Sequence, residues 1–298
     1  MNRGYIYLFL TAFIWGFCIV GQSNGMEVMG PWSFTAARVT LGGLSLLVLA
    51  LISDNKRKNE IPASELKKEY KDAFIPGLIC APLILATIIF QQYGLLYTGV
   101  GKCAFVTALY IFLVPLFGIF FGEKVKAKSW ISVVIALAGL YLITMSSGFD
   151  NINKGDIICF GAAIAYSIHM QVVGKVSSRL DTIKFSGIQF TLAGLLSFIP
   201  AAIIETGQLT WANYMHSIWP IFLTGIISCA VGYTLQIKGQ SLVSPSTTSI
   251  ILSSESVFSL LAGMIFLHEI LTGKEYLGCA VMMFAIAISV IPEKKTQN

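Results

Sequence analysis

Ten stretches of about twenty residues, each with little or no charge, fill this chain, and a bilayer core about 30 Å thick asks for that length of α-helix. They run over roughly 4–21, 32–52, 73–96, 102–122, 128–146, 155–173, 184–204, 216–236, 245–267 and 272–292. They are too long for barrel strands and lack strict two-residue alternation. Lipid offers the backbone no hydrogen-bond partners, so helices are the remaining way to cross it. The expectation is an all-α integral membrane protein with ten transmembrane helices. Of the 298 residues only 12% are charged, against about a quarter in a soluble domain, and mean hydropathy is +0.76. Little length is left for a separate soluble domain. The first run follows Arg3 as a secretory signal would, but no small-x-small cleavage site follows "FIWGFCIVGQSNGM" and a related segment recurs later. It is expected to remain a mature helix.

Lysine and arginine set the orientation. Taken alternately, one set of loops, with both termini, holds sixteen of them and the other set three, Lys102, Lys154 and Lys274; Arg38 lies inside a helix. The positive-inside rule then puts both termini in the cytoplasm. The net charge of +5 speaks of topology and anionic headgroups, so membrane lipids are expected partners and nucleic acid is not.

The chain is written twice. Residues 4–52 superpose on 155–203 at a constant offset of 151, matching Gly4 with Gly155, Phe34 with Phe185, and Thr40 and Gly43 with Thr191 and Gly194. Trp15 falls on Tyr166 and Arg38 on Gln189. Further on the offset shortens: Gln91 and Gly94 match Gln236 and Gly239, and Glu123 matches Glu269. Five helices is an odd number, so the second copy enters the membrane in the opposite sense. Loop charge agrees: 53–72 holds six basic residues and its counterpart 205–215 none, while 22–31 holds none and 174–184 holds three. The expected architecture is two inverted five-helix repeats, 1–148 and 149–298, with a site between them that can face either side.

The segments "AFIWGF", "FTAARVTLGGL", "TALYIFLVPLFGIFFGE", "AIAYSIHM", "FSGIQFTLAGL" and "SPSTTSIILSSESVFSLLAGMIFLHE" resemble the two halves of an EamA-type carrier of the drug/metabolite transporter superfamily. The resemblance covers nearly the whole chain. It implies a ten-helix inverted-repeat carrier of the bacterial inner membrane, or an equivalent plasma membrane, that moves amino acids or other small metabolites, often outward. One departure is Ser256, where many members carry proline after the glutamate.

Glu255 is the clearest mid-membrane charge. Burying a carboxylate in hydrocarbon costs several kcal/mol unless it faces protein or water. Helical spacing groups it with Thr248 and Ser259, while Ser246, Ser249, Ser253 and Ser256 form a second polar stripe, which leaves this helix little purely lipid-facing surface. It is read as a proton-binding group or as the counter-charge of a substrate amine, against a structural acid that ties helices together. An acid shared by carriers of different substrates need touch none of them. Arg38 can pair with Glu255, bind a substrate carboxylate or snorkel outward, and with its counterpart Gln189 it is expected to face a central cavity. Trp15, Tyr110 and Tyr166 are candidate aromatic walls, with core packing as the plain alternative. His169 is a candidate relay, though a lone helical histidine is more often a packing residue. Gln91, Gln92 and Gln236 are candidate gate or cap residues, or interfacial anchors.

Pro76, Pro82, Pro115, Pro200 and Pro220 are expected to bend or interrupt helices. "ASELKKEY" reads as a short surface helix capped by Ser64, or as a solvated connector. The six cysteines fall within the runs without CxxC spacing and read as small packing residues, with no disulfide or metal role. No HExxH and no nucleotide-binding GxxxxGK[ST] occurs, so no metal, cofactor or ATP is implied. The expected function is secondary active transport of a small solute, with protons as a candidate coupling ion. The alternative is a lipid or lipid-linked sugar translocase of the same fold; an intramembrane enzyme or a channel fits less well.

Overall fold

The computed structural model describes residues 3–26, 28–98, 100–144, 152–266, 268 and 270–291, with the side chains of 19–24 and 100 left aside. All regular structure among the described residues is helical. Ten long segments follow one another: α1 (Arg3–Gly25), α2 (Pro31–Arg57), α3 (Ala63–Leu95), α4 (Gly101–Phe120) and α5 (Ala127–Thr144). They continue as α6 (Lys154–Val176), α7 (Thr182–Ile204), α8 (Ile218–Gln240), α9 (Pro245–Phe266) and α10 (Gly273–Val290). Nine are long and apolar enough to cross a membrane, and α1 adds the shorter apolar stretch Arg3–Cys18.

The helix starts are set by local chemistry. Pro31 and Pro245 stand in the first turns of α2 and α9, where a missing N–H costs nothing. Asn153 with Asp156 and Thr272 with Glu275 form capping boxes at α6 and α10. The exposed faces are apolar, as with Leu49, Leu51 and Ile52 on α2 and Ile199, Ile203 and Ile204 on α7, while Arg38, Gln92, His169, Gln189 and Gln236 are buried. That inside-out polarity suits a bundle solvated by lipid.

α2 packs on α7 and α8, α5 on α10, α1 on α8 and α9, and α6 on α3 and α4, with α3 also against α7. Exchanging each of the first five helices with the one five places later returns the same contacts. The α2–α7 crossing lies at glycines: a Cβ on Gly43 would run into the backbone of Thr191, and one on Gly194 into that of Thr40. These are the residues that the 151-residue offset pairs. At one end of this crossing Lys184, 1% exposed, lies 2.8 Å from Asp54 and 2.7 Å from Glu69; Arg57 binds the same Glu69 at 2.8 Å. At the other end Glu205 accepts from the backbone N–H groups of Trp32 (3.0 Å) and Ser33 (2.7 Å) at the start of α2.

Several expectations need correcting. "ASELKKEY" forms the first turns of α3, which runs unbroken from Ala63, and Ser64 caps nothing because the N-cap is Pro62 without a side-chain bond. Counting apolar residues misses this because these turns are amphipathic and are held through Glu69. Pro76, Pro82, Pro115 and Pro200 interrupt no helix, since each sits inside one that continues past it, whereas Pro220 precedes a π-helical stretch, Leu223–Gly232. α9 buries its serine-rich first half but exposes Leu261, Ile265 and Phe266, so it does have a lipid-type face. Cys103 and Cys159, free and buried like most of the cysteines, lie with their sulfurs 2.7 Å apart. Glu269 lies outside the described residues.

Candidate functional site

α9 loosens immediately before its glutamate. Ser254, Ser256 and Val257 donate their N–H groups three residues back, to Ile251 (3.1 Å), Ser253 (3.2 Å) and Ser254 (3.0 Å). The hydroxyls of Ser253 and Ser254 take the carbonyls of Ile250 (2.6 Å) and Ile251 (2.7 Å). Serines that bond back to the preceding turn compete with the helix ladder, so a break forms without a proline. α4 breaks at the corresponding point: Leu109 donates to Val106 at 3.2 Å between the helical pieces Val100–Ala108 and Tyr110–Phe120. Glu255 therefore opens a half-helix, where the positive end of the peptide dipoles favours an anion.

Glu255 is partly accessible. Gly16 of α1 passes directly against its backbone carbonyl. Its charge reaches Tyr110, Tyr166 and Tyr233, and among the described residues its carboxylate has no hydrogen bond or ion pair. The aromatic residues form one cluster. Trp15 lies 6.4 Å from Tyr166 and 4.5 Å from Tyr233, and Tyr110 meets Tyr166 edge-on at 5.0 Å. Phe190 closes on Tyr233 at 4.9 Å. The indole N–H of Trp15 donates to Ser228 (3.3 Å), a carbonyl in the π-helical stretch. The buried hydroxyls of Tyr110 and Tyr166 have no hydrogen-bond partner among the described residues.

Arg38 is 3% exposed. Its guanidinium carbon lies 5.4 Å from the centre of the Phe34 ring. With the Gln92 amide oriented to satisfy its neighbours, Gln92 accepts from Arg38 Nη2 at 3.1 Å and donates to Pro31 O and Thr35 Oγ1. Arg38 Nε has no partner, and no carboxylate pairs with Arg38 among the described residues. Glu255 is therefore not its counter-ion. Tyr233 lies within electrostatic reach of both the cation of α2 and the anion of α9.

The remaining candidates lie around this cluster. His169 Nε2 and Gln189 Oε1 share a hydrogen bond at 3.2 Å, with His169 Nδ1 and Gln189 Nε2 unpartnered. Tyr166 stacks on His169 at 6.2 Å. The counterparts of this pair at the 151 offset, Cys18 and Arg38, are also electrostatic neighbours. Gln91 offers its backbone carbonyl to Cys103 Sγ at 3.7 Å. Gln236 donates to Gln240 (2.9 Å), which donates to Met170 O (3.0 Å) and so ties α8 to α6. A cleft of about 360 Å³ is lined by Tyr7, Asp181, Ile183, Thr234 and Lys238 at the Lys184 end. Among the described residues no group of three or more metal-ligating side chains occurs.

Trp15, Tyr110, Tyr166 and Tyr233 form one aromatic cluster, Glu255 lies within electrostatic reach of its tyrosines and Arg38 of Tyr233, and His169 joins the cluster at Tyr166 while bonding Gln189. Gln92 bonds Arg38, and Gln236 through Gln240 fastens α8 to α6. Tyr233 was not legible as a site residue. Its counterpart at the offset of 145 is Ile88, so the duplication carried no signal for it.

Known proteins extend this geometry. A relative from Archaeoglobus fulgidus, an uncharacterized transporter, is 27% identical over 94% of this chain and 83% of its own length. The transporter YwfM of Bacillus subtilis is 23% identical over 97% and 95%. The threonine/homoserine exporter RhtA of Salmonella typhimurium is 23% identical over 61% of each chain. A crystal structure superposes with a TM-score of 0.74 at 17% identity, covering 97% of this chain and 96% of that one, and so shares the fold. The model of the EamA-like transporter family matches twice, over residues 2–145 and 153–291. The chain is a membrane transporter, not an enzyme, and belongs to the EamA-like transporter family of the drug/metabolite transporter superfamily.

Proposed function

We propose that the chain is a secondary active carrier that exports a small zwitterionic solute, an amino acid of the threonine or homoserine kind, across the plasma membrane. Two inverted halves, 1–148 and 149–298, rock about the α2–α7 crossing, with both termini in the cytoplasm. One observation carries the substrate class: a buried cation without an acid among the described residues, Arg38, and a carboxylate without a partner among them, Glu255, both lie within electrostatic reach of Tyr233. An amino acid supplies the missing partner of each. Its carboxylate meets Arg38, its ammonium meets Glu255, and Trp15, Tyr110 and Tyr166 wall the site. An ammonium over an aromatic face gains about 0.5–2 kcal/mol in addition. The name of the Salmonella relative supports the solute class and the outward direction, and the skew of basic loops supports the orientation. Glu255, emptied of solute, is the proposed proton acceptor, so that protons flow inward as solute leaves.

The test is exchange in vesicles reconstituted with the purified protein. Threonine uptake should saturate and should speed up when unlabelled threonine is placed on the far side. Flux that rises linearly with concentration and ignores the far side would replace the carrier with a channel. A hydrogen bond to a charged group contributes about 1.5–3 kcal/mol, so Glu255→Gln and Arg38→Gln should each weaken solute binding about ten- to a hundredfold while the protein still folds. Unchanged binding in both variants would remove the proposed site.

A further inference from the structure

Cys103 stands at the start of α4 and Cys159 in the second turn of α6, and their sulfurs approach to 2.7 Å. Both side chains are buried. A disulfide needs about 2.05 Å between sulfurs, so the two sulfurs already stand within about 1 Å of bonding distance. Among the described residues no other two cysteine sulfurs meet. The pair lies directly beneath a polar clasp that joins the same two segments. Asp156 of α6 accepts from Thr98 Oγ1 at 2.8 Å and pairs with Lys102 Nζ at 2.7 Å, and Asn153 Nδ2 donates to Thr98 at 3.3 Å. Backbone also closes in: a Cβ on Gly155 would lie 2.8 Å from the carbonyl oxygen of Gly94. This is the end of the bundle opposite the Lys184 cluster. The two sulfurs thus sit where the chain's first half touches its second.

We propose that Cys103 and Cys159 form a reversible dithiol–disulfide pair, oxidised by hydrogen peroxide, that bolts α4 to α6 and holds this end of the bundle shut. One thiol loses its proton and its sulfur attacks a peroxide oxygen; the O–O bond breaks, giving a sulfenic acid and a first water. The second thiol then attacks that sulfur, the S–S bond forms, and hydroxide leaves with the released proton as a second water. Two electrons pass from the sulfurs to peroxide, and a dithiol reductant returns them by exchange. Peroxide is small and uncharged, and it reaches the buried pair when the clasp above it parts. The bolt acts on transport only through the alternating-access reading, because a carrier whose halves are joined at one end cannot open there.

Two measurements separate the bond from its consequence. The full-length protein is treated with peroxide and digested, and a peptide linking Cys103 to Cys159 should appear in most molecules and vanish after dithiothreitol. In the same samples amide hydrogen exchange in the first turns of α4 and α6 should slow by at least tenfold on oxidation. Cys159→Ser and, separately, Cys103→Ala should abolish both effects. No linked peptide in the folded wild type overturns the proposal, and a linked peptide without slowed exchange overturns the bolt. Threonine exchange is read alongside and should fall at least tenfold in oxidised wild type and recover on reduction. Linked, slowed protein that still exchanges threonine refutes the shutting of this end. Reduced protein that moves no solute counts against the carrier reading, while the peptide and exchange results still decide the bolt.

Discussion

A buried guanidinium without a carboxylate is costly unless something is kept for it to bind, and Arg38 spends its local bonding on a neutral group, Gln92. The choice of an amide there has consequences that two substitutions separate. Gln92→Leu removes the acceptor and leaves Nη2 unsatisfied, which should cost about 1–3 kcal/mol and lower the unfolding temperature without creating a rival for the solute. Gln92→Glu supplies Arg38 with the acid it lacks. That variant should hold its unfolding temperature or raise it while binding threonine at least tenfold more weakly, because the cation is then already paired. Equal binding by Gln92→Glu and wild type would mean that Arg38 does not meet the solute. Sequence pointed to Gln92 as a gate, a cap or an interfacial anchor and not as a partner of Arg38, since that bond crosses from α3 to α2, and spacing within one helix is silent about such partners. Glu255 was legible for the opposite reason: a carboxylate in the middle of an apolar run is anomalous in sequence alone.

Helix α9 turns a local property of serine into a feature of the site. Its break at Ser253 and Ser254 rests on hydroxyls bonding back to Ile250 and Ile251, and it makes Glu255 the first residue of a new half-helix. Replacing both serines with alanine removes that competition and adds the best helix former. Ser253→Ala with Ser254→Ala should therefore slow amide exchange across 251–257 and leave global stability unchanged or slightly higher. Continuing the helix turns Glu255 away from Tyr110, Tyr166 and Tyr233, so solute binding should drop about tenfold. Faster amide exchange there would show that the hydroxyl bonds support the segment instead of loosening it. The number and order of the helices were legible because length and apolarity are properties of single runs. The break, the π-helical form of the stretch after Pro220 and the continuity of "ASELKKEY" with the rest of α3 were not, because each depends on hydrogen bonds or ion pairs that a hydropathy window averages away.

Across the whole molecule the antiparallel pair α2 and α7 is held alike at its two ends and pinned at its middle. Asp54 and Glu205 fall on each other at the 151-residue offset, and each reaches from the end of its own helix to the start of the other, Asp54 to Lys184 and Glu205 to the N–H groups of Trp32 and Ser33. The close glycine contacts at Gly43 and Gly194 leave the centre little room to separate. If the halves rock about this crossing, the two acids act as opposing latches, and weakening one should favour opening at its own end. Each 1.4 kcal/mol removed from a latch shifts that equilibrium about tenfold. Asp54→Asn withdraws a charge from Lys184, and Glu205→Gln withdraws one from the start of α2. The readout is a cysteine placed at Thr234, in the cleft at the Lys184 end, with the native cysteines replaced and a membrane-impermeant maleimide supplied from that side. Asp54→Asn should label faster than the parent by severalfold or more, and Glu205→Gln more slowly. Opposite changes from acids at opposite ends require the ends to communicate through the α2–α7 crossing. Labelling that rises equally in both would mean that each substitution merely loosens its surroundings, and the crossing would then be a static joint.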